Sequence, residues 1–496
     1  MKALEDVAVT KSRWYVGKTA EKWTLVCADV LALAVSFYLA AASRLLISDN
    51  TLDLAFRAWG SSLNHVGVYL LLSVFIIGTF WLKGHYVKRR PYWNEIREIL
   101  KTVFIVALID SALLLFANWP FSRTTLLLNW ILVPCLLVLM RGTAKRLLIH
   151  LGGWNRPMVI VGWGDNLIET ARAFDDEPLM GYQAIAFLIP EGKTKPITNY
   201  KDHNDRSIPC LSLSHSPKRI QQMLDHLGDP HVVLALEKGG IEKYQDTIQC
   251  LSHLCQEMQI VPSLRGLPLH GMEVNHFFSH EVLLLTVRNN LARRGPRLIK
   301  RCFDIVASSI GLLIISPFLL WIAIKVSSSG GPIFYGHKRV GQNGKSFSCY
   351  KFRTMMPNAA QLLQELLERD PEAKAEWERD FKLKNDPRIT PIGNFLRKTS
   401  LDELPQLWNV LKGEMSLVGP RPIVDAELER YGNQVDHYLK AKPGITGLWQ
   451  ISGRNDITYD TRVYLDAWYV KNWSLFNDIV ILLRTVKVIL KRDGAY

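Results

Sequence analysis

Residues Phe303–Val326 read FDIVASSIGLLIISPFLLWIAIKV, an apolar run long enough to enter or cross a bilayer, which takes about 20 residues. A straight span would carry everything after Val326 to the opposite side of the membrane. Both flanks are basic, however, with Arg297, Lys300 and Arg301 before the run and Lys325, Lys338 and Arg339 after it. Basic flanks mark the cytoplasmic side, so both ends of the run are predicted to face the cytoplasm.

The middle of this run contains Ser316-Pro317. Proline removes a backbone donor and clashes with the preceding turn, so it kinks or breaks a helix. A helix bent here can enter one leaflet and return, provided that its freed backbone groups are satisfied, and Ser316 can help with that. We therefore predict a re-entrant membrane helix, with an ordinary kinked span as the alternative.

Four further apolar blocks precede this run, and they predict a four-span bundle over residues 1–150: Trp23–Leu46, Val66–Leu82, Val103–Trp119 and Leu126–Met140. Basic residues concentrate before the first block, between the second and third, and after the fourth, which orients both ends of the bundle to the cytoplasm. Asp110 lies inside the third block. An intramembrane acid is a functional candidate, but we favour a structural carboxyl bonded to a neighbour such as Asn129.

The middle stretch, residues 151–290, alternates strand and helix patterns and predicts a Rossmann-like α/β cytoplasmic domain. Strands are predicted at Gln183–Ile189, His231–Ala235, Gln259–Val261 and Val282–Val287. Gly162 and Gly164 resemble the start of a dinucleotide fingerprint, but Leu167 stands where the third glycine belongs. We therefore expect a structural or regulatory domain without bound NAD.

The composition of the chain limits the classes of binding partner that it fits. The net charge is +14, which favours anionic partners, yet no zinc-finger spacing or long basic tail indicates nucleic acid. The seven cysteines include no Cys-x-x-Cys pair and are expected to be reduced. Membrane lipid and a phosphorylated substrate fit this net positive charge better than nucleic acid does.

The C-terminal stretch, residues 291–496, combines an adjacent acid pair with several motif arginines. Asp402 and Glu403 would diverge by about 100° on a helix, so one can attack while the other holds a metal. Guanidinium groups bind phosphate oxygens bidentately, and carboxylates with substrate phosphates suit Mg²⁺. The candidate phosphate-binding residues are Lys351, Arg353, Arg397, Arg421 and Arg454. Taken alone, such residues are more often surface ion pairs.

The order of the motifs along the chain favours a functional site over surface ion pairs. KFRTM at 351–355, RKTSLDELPQ at 397–406, GPRP at 419–422, KPGITG at 442–447 and QISGRN at 450–455 together resemble the bacterial polyprenyl-phosphate sugar phosphotransferase family in its long form. The resemblance covers the whole chain and is most specific in the last 200 residues or so. It implies an integral membrane enzyme with a small α/β catalytic domain on the cytoplasmic face of the bacterial inner membrane.

The resemblance also implies a reaction. The acid matching Asp402 attacks the β-phosphate of a UDP-sugar and releases UMP, and undecaprenyl phosphate then accepts the phosphosugar. Glu403 matches the acid that binds Mg²⁺, and Pro317 matches the proline of the re-entrant helix. UDP-galactose is the expected donor, with UDP-glucose as the alternative, in the first membrane step of O-antigen, exopolysaccharide or capsule synthesis. A homodimer is expected from the same likeness.

The tail predicts a basic amphipathic helix. Val480, Leu483, Val486 and Leu490 recur at helical spacing, with Arg484, Lys487 and Lys491 on another side. Such a helix can lie on an anionic leaflet or pack on the domain core. Two rival functions stay open at this point: a membrane-tethered nucleotide-binding sensor, and a processive glycosyltransferase that releases UDP.

Overall fold

The computed structural model describes residues 18–47, 63–117, 123–191, 200–202, 205–214, 216–255, 257–263, 272–276, 283–286, 290–380, 383, 386–453 and 457–491. The chain divides into two compact units, Met1–Leu264 and Arg265–Tyr496. The first unit contains a helical bundle and an α/β sheet. The second contains the remaining membrane helix and the motif-rich region.

Four helices occupy the positions of the four predicted spans: α1 (Lys18–Ile47), α2 (Leu63–Leu82), α3 (Tyr92–Ala117) and α4 (Arg123–His150). The third and fourth continue well beyond their apolar blocks, because their polar ends also follow a helical pattern. Trp119 lies outside the described residues. Helices α1, α3 and α4 contain stretches long and apolar enough to cross a membrane, whereas the apolar part of α2, Val66–Leu82, is shorter.

The bundle encloses an ion-paired cluster as well as an apolar core. Arg141 donates to both carboxylate oxygens of Asp29, from Nε at 2.7 Å and from Nη2 at 2.6 Å, and from Nη1 to Glu95 Oε1 at 3.0 Å. Lys145 also donates to Glu95. Arg141 and Lys145 are both buried. They therefore neutralise internal acids, and the orientation of the bundle depends on the other basic residues.

Asp110 is fully buried in α3, where it accepts a hydrogen bond. Trp130 Nε1 donates to Asp110 Oδ2 at 2.9 Å. The sequence predicted a neighbour such as Asn129. The indole donor is one residue further along α4. The contact agrees with a structural role for this carboxyl, since a buried acid is stabilised by a fixed hydrogen-bond donor.

The α/β part of the first unit is a five-stranded parallel sheet. Its strands are β1 (Arg156–Gly162), β2 (Tyr182–Pro190), β3 (Cys210–Leu213), β4 (His231–Ala235) and β5 (Met258–Ile260), in the order β3-β2-β1-β4-β5. The intervening helices are α5 (Gly164–Asp175), α6 (Pro217–His226), α7 (Gly240–Lys243) and α8 (Gln245–Leu254). The parallel sheet was predicted, although β3 was not.

The fourth predicted strand lies elsewhere. β6 (Glu273–His276) and β7 (Leu283–Thr286) form an antiparallel hairpin that groups with the second unit. The segment Val282–Val287 therefore contributes its strand to this hairpin and not to the parallel sheet. Its apolar run is a buried-strand pattern in either setting, which is why the pattern alone misassigned it.

The turn after β1 is filled by an acid of the chain itself. Gly164 has φ +70, and the backbone amide of Asn166, in the first turn of α5, donates to Glu237 Oε1 at 2.8 Å. A phosphate bound at a helix N-terminus would need this same backbone donor. The Glu237 carboxylate would repel such a phosphate, so the expectation of no bound NAD gains a physical reason while staying a prediction.

The second unit is built from short elements around one long helix, α9 (Arg294–Ser327). An antiparallel hairpin, β8 (Phe334–Val340) and β9 (Ser346–Phe352), precedes α10 (Ala359–Arg369) and α11 (Pro371–Asp380), which are separated just before Pro371. The remaining elements are α12 (Pro391–Thr399), α13 (Gln406–Lys412), β10 (Ser416–Val418), α14 (Val435–Lys440), β11 (Gly444–Thr446), α15 (Leu448–Ile451), α16 (Tyr459–Lys471) and α17 (Leu475–Lys491).

Helix α9 is continuous through Pro317, so the helix break predicted at Ser316 and Pro317 does not interrupt it. Pro317 cannot donate to the carbonyl of Leu313, four residues earlier. Ser316 Oγ donates to that carbonyl at 2.8 Å instead. The predicted compensation by Ser316 is therefore present, and it lets the helix continue past the proline.

Both ends of α9 pack against the same small unit. Near its start, Lys300, Asp304 and Ser308 are buried; near its end, Ile322 and Val326 pack with Phe352 and Leu396. Between Ser308 and Ile322, where every residue is described, none is buried. The apolar middle of the helix thus stands clear of the protein while both polar ends are held by it.

The tail helix α17 packs on the core of the second unit, which is one of the two alternatives predicted from the sequence. Its Asp478 and Ile481 are buried in the core of the second unit, and Lys300 Nζ lies 2.7 Å from Asp478 Oδ2. Leu483 and Val486, on the apolar stripe predicted from the sequence, are exposed. One side of the helix therefore packs on the domain while an apolar strip faces outward.

Candidate functional site

The acid pair lies on a sharp connection between two helices. Thr390 caps α12, its Oγ1 accepting from Gly393 N at 3.0 Å, and the helix ends at Ser400, whose φ of 56 is left-handed. A 3₁₀ turn, Leu401–Glu403, follows and leads through Pro405 into α13. Since a 3₁₀ turn has three residues, the two acids diverge by about 120°, more than on the helix expected from the sequence.

Lys351, at the end of β9, faces both acids. Its Nζ lies 2.6 Å from Glu403 Oε1 and 3.7 Å from Asp402 Oδ2. The first distance is a hydrogen bond and the second is too long for one. One Glu403 oxygen, Oε1, therefore accepts from the lysine, whereas the Asp402 carboxylate lies near the same charge without a hydrogen bond to it.

Burial and charge act in opposite directions on this pair. The Asp402 side chain is only 15 % exposed. Burial, together with repulsion from Glu403, raises the pKa of Asp402 above its usual value, although Lys351 and Arg397 lower it in part. The pKa of Lys351 is also raised, because the two acids outweigh its burial. A mostly buried acid with a perturbed pKa beside a specific cation is typical of functional sites.

Arg397 joins the acid pair to the KFRTM motif. Its Nε donates to Thr354 Oγ1 at 2.9 Å, and its charge acts on Asp402. The backbone of α12 packs tightly there, since a Cβ on Gly393 would meet the carbonyl oxygen of Thr354 at 2.0 Å. Of the candidate phosphate-binding residues, Lys351 and Arg397 thus lie beside Asp402.

Arg353, the next basic residue of that motif, turns towards the membrane helix. Its Nη2 donates to the Val326 carbonyl at 3.1 Å and to Ser329 Oγ at 2.8 Å. The guanidinium is buried, and its Nε and Nη1 have no hydrogen-bond partner among the described residues. Its observed contacts are with the C-terminal end of α9, where a cation is favoured by the helix dipole.

Arg421 takes part in a separate cluster. Its guanidinium lies 5.3 Å from the ring centre of Trp449, and Arg462 lies 5.0 Å from the same ring. Asp466 is buried beside them and accepts a hydrogen bond from Tyr431 Oη at 2.8 Å. Burial raises the pKa of Asp466 to about 7. Arg454 lies outside the described residues.

Sequence reasoning missed the residues of this cluster other than Arg421. Arg462 and Asp466 stand in α16, outside the quoted motifs, and their surroundings come from distant parts of the chain. The available signal was helical spacing, since Tyr459 and Arg462 are three residues apart and stack at 4.8 Å. That spacing is common on ordinary helix surfaces, so it would not have singled them out.

The motif glycines serve contacts between motifs. A Cβ on Gly444 would meet Gly419 N at 2.1 Å, and one on Gly447 would meet the Gly419 carbonyl oxygen at 2.4 Å. The GPRP and KPGITG segments therefore touch backbone to backbone. Glycine is required at these positions because any side chain would separate the two segments.

The carboxylates offer an open metal site at most. Among the described residues there is no group of three or more histidine, cysteine or acidic side chains that could enclose an ion. Glu403, whose side chain is 34 % exposed, and Asp402 supply two carboxylates. This donor set fits Mg²⁺, which commonly takes one or two carboxylates and completes its shell with substrate phosphates and water.

Comparison with known proteins identifies the family of this chain. Residues 295–492, which include the acid pair and membrane helix, match the family model described as bacterial sugar transferase. Undecaprenyl-phosphate galactose phosphotransferase of Salmonella typhimurium is 50 % identical over 430 residues, or 86 % of this chain and 88 % of that protein. The chain belongs to the bacterial sugar transferase family. It is therefore an enzyme, as the motifs predicted.

Two other bacterial proteins are similar to this chain over different lengths. UDP-galactose-lipid carrier transferase of Erwinia amylovora is 45 % identical over 433 residues, covering 87 % of this chain and 88 % of its own. The exopolysaccharide production protein ExoY of Rhizobium meliloti is 54 % identical over 198 residues, which make up 40 % of this chain and 88 % of ExoY. The part of this chain that is similar to ExoY thus accounts for most of the length of ExoY.

Proposed function

We propose that this enzyme transfers galactose 1-phosphate from UDP-galactose to undecaprenyl phosphate, with Asp402 as the covalent nucleophile. The observation that carries the proposal is the half-paired acid site: Lys351 hydrogen-bonds Glu403 but leaves the Asp402 oxygens free of its donors. The likeness to galactose phosphotransferases over most of the chain supplies the substrate.

In the first step, a carboxylate oxygen of Asp402 attacks the β-phosphorus of the nucleotide sugar. The bond from that phosphorus to the bridging oxygen breaks, and UMP leaves with the electron pair. In the second step, a phosphate oxygen of undecaprenyl phosphate attacks the same phosphorus, and the bond to Asp402 breaks. The carboxylate is restored, and the product is a diphosphate-linked lipid sugar.

Lys351 and Arg397 stabilise charge in both steps. The lysine compensates the two acids before the substrate binds, so that an anionic phosphate meets less repulsion from the site. Arg397 is held by Thr354 and keeps a second positive charge near Asp402. Fixed cations of this kind stabilise the charge that builds up on the phosphoryl oxygens.

Mg²⁺ is the proposed cofactor, with Glu403 as its protein ligand and the donor's phosphates as its other partners. When bound, the ion neutralises phosphate charge and makes the phosphorus more open to attack. Removing divalent ions with a chelator is expected to stop transfer, and added Mg²⁺ to restore it. Continued full activity in excess chelator would contradict this assignment.

The acceptor reaches the site from the membrane, which agrees with a re-entrant α9. Lys300 and Asp304 near one end of the helix, and Val326 near the other, contact the same polar unit, and a polar unit belongs on one side of a bilayer. We therefore infer that α9 enters and leaves on the cytoplasmic face of the inner membrane. Cytoplasmic labelling of tags at both chain ends tests this, and a periplasmic C-terminal tag would contradict it.

The reaction is tested by its products. Purified enzyme in membrane mimetic, given UDP-galactose and undecaprenyl phosphate, is expected to release UMP and form a diphosphate-linked lipid. Release of UDP would identify a glycosyltransferase instead, and binding without turnover would identify a sensor. A panel with UDP-glucose then decides the sugar, since glucose remains the alternative donor.

The covalent step has a separate test. Incubation with donor alone, followed by intact-mass measurement and peptide mapping, is expected to show a hexose phosphate on Asp402. An enzyme that turns over but never acquires this mass would overturn the nucleophile assignment. The expected homodimer is tested in the same preparation by measuring the mass of the native particle.

A further inference from the structure

A basic cavity of about 360 Å³ opens in the second unit, apart from the acid pair. Six cationic side chains and a single acid, Asp304, line it, together with a few apolar residues. We call it the basic cavity, and its cations are Arg294, Arg297, Lys300, Arg301, Lys440 and Lys442. Six like charges around one small space are costly unless an anion is bound there.

Two cations of the basic cavity, Lys300 and Arg301, contact the protein in different ways. Lys300 is paired with Asp478, but Arg301 donates to two backbone carbonyls, those of Val410 and Leu411, at 2.5 and 2.7 Å. Asp304 accepts from neutral groups, Ser416 Oγ and Leu417 N. Burial and the neighbouring cations Arg301 and Lys300 lower the pKa of Lys442, in agreement with an excess of positive charge.

The basic cavity lies where α9 begins. Arg294 and Arg297 are in its first turn, and the apolar run that enters the bilayer starts at Phe303. Leu298, an exposed apolar side chain, also lines the cavity. A cavity with basic walls and an apolar margin, at the foot of a membrane helix, matches the depth of lipid headgroups.

The basic cavity is separate from the reacting acid. Arg301 binds carbonyls at the C-terminal end of α13, whereas Asp402 and Glu403 come just before the N-terminal end of that helix. The seven residues of α13 span about 10 Å. An anion held by Arg301 and its neighbours is therefore too far away to be the phosphate that attacks at Asp402.

From these observations we infer that the basic cavity binds the phosphate headgroup of an anionic bilayer phospholipid, one per chain. Lysine and arginine donors hold the phosphate oxygens, and the apolar margin at Leu298 contacts the start of the acyl chains. The bound lipid ties the start of α9 to the membrane surface. This inference requires a membrane-embedded chain and does not depend on the identity of the transferred sugar.

The test uses the full-length chain, delipidated in detergent and titrated with phosphatidylglycerol or phosphatidylcholine of the same acyl chains. Native mass spectrometry is expected to show one phosphatidylglycerol bound at concentrations about tenfold below those needed for phosphatidylcholine. The triple variant R294Q/R297Q/K440Q removes three exposed cations of the cavity. It is expected to weaken this binding at least tenfold, which is about 1.4 kcal/mol.

The matched control is K345Q/R369Q/K374Q, which removes the same charge from exposed positions of the second unit outside the cavity. It is expected to bind phosphatidylglycerol as the parent chain does. An equal loss in both variants, or none in the cavity variant, would overturn the proposal. So would displacement of phosphatidylglycerol by equimolar undecaprenyl phosphate, because the cavity would then be the acceptor site.

A photoreactive amino acid at Leu298 gives a second measurement that does not depend on charge removal. In vesicles containing phosphatidylglycerol, it is expected to cross-link that lipid, and the cross-link is expected to fall at least tenfold in the R294Q/R297Q/K440Q background. A cross-link that is equally strong in both backgrounds would show general contact with the bilayer and would contradict a headgroup site.

Discussion

Two clusters of the molecule use the same residue types and differ in how completely the charges are paired. In the bundle, Asp29 and Glu95 face Arg141 and Lys145, so two acids meet two cations, and all four side chains are buried. In the second unit, Asp402 and Glu403 share Lys351, and all three side chains remain partly exposed.

The difference separates a cluster that stabilises the fold from a cluster that we propose takes part in the reaction. A buried, fully bonded set of charges fixes the elements that carry it, and breaking one member leaves an uncompensated charge. A set in which only one of the two acids is hydrogen-bonded to a cation keeps the other acid available and accepts further positive charge from a substrate complex. Complete pairing therefore predicts a stability defect on mutation, whereas incomplete pairing predicts an activity defect with the fold intact.

Asp402→Asn gives the largest expected effect. The amide cannot act as a carboxylate nucleophile, so transfer should fall at least ten-thousandfold, about 5 kcal/mol, while the melting temperature stays within about 2 °C of the parent. UMP exchange into UDP-galactose measures the first step. Asp425→Asn, at an exposed acid, is the matched control. Exchange by Asp402→Asn near the parental rate would refute the nucleophile.

Arg141→Leu tests the completely paired cluster. Removing the guanidinium leaves Asp29 without its bidentate partner inside the bundle, and the expected cost is about 3–5 kcal/mol of unfolding free energy. Denaturant titration in detergent measures it. Lys83→Met, which breaks a partly exposed pair with Glu98, should cost less than about 1 kcal/mol. Equal costs for the two would remove the distinction between the clusters.

Lys351→Met is expected to lower kcat/KM about a hundredfold, close to 3 kcal/mol, with little change in stability. Without its ammonium, the two acids repel each other and repel the donor's phosphates. Steady-state kinetics with UDP-galactose measures the effect, and Lys412→Met, at an exposed lysine near Tyr350, controls for lost charge. A change of less than threefold would show that Lys351 is only structural.

Asp466→Asn is expected to change the pH dependence of stability, and it concerns an acid with no ion pair among the described residues. Its pKa is about 7 when folded, against an ordinary value of 3.8, so the folded state keeps a proton that the unfolded state has lost. Stability from this group is complete below pH 4 and is lost as pH rises to 7, by at most about 1.4 kcal/mol per pH unit.

The asparagine variant removes that dependence, so its melting temperature relative to the parent should rise between pH 5 and pH 8. Melting curves of both chains across this range measure the difference. A constant difference over the range would mean that Asp466 ionises normally in the folded protein.

Local patterns in the sequence were enough to predict helix α9 and to single out the acid pair as a candidate site. The apolar run around Pro317 and the compensating Ser316 are neighbours in the chain, and so are Asp402 and Glu403. The parallel sheet also followed from alternating patterns. These features are determined by residues within one or two turns of each other, which is the range over which periodicity is informative.

Partnerships across the chain were not predictable in this way. Asp29 and Arg141 are 112 residues apart, and Lys300 and Asp478 are 178 apart. Arg353 sits in a predicted phosphate-binding motif, yet its visible contacts are with the end of α9. Glu237 accepts a hydrogen bond from the amide of Asn166, beside the turn at Gly164, and these two residues are 71 apart in the chain. Such pairs depend on the folded path, which single-sequence patterns do not reveal.

The buried bond between Lys300 and Asp478 couples the membrane helix to the tail helix, and both present outward apolar side chains. The two helices therefore act together to hold the domain at a constant height relative to the membrane surface. At that fixed height, the water-soluble donor arrives by diffusion in three dimensions, while the lipid acceptor searches only the plane of the leaflet. Under the proposed function, the rates of the two encounters then respond to different variables: the concentration of the donor in solution, and the surface density of the acceptor.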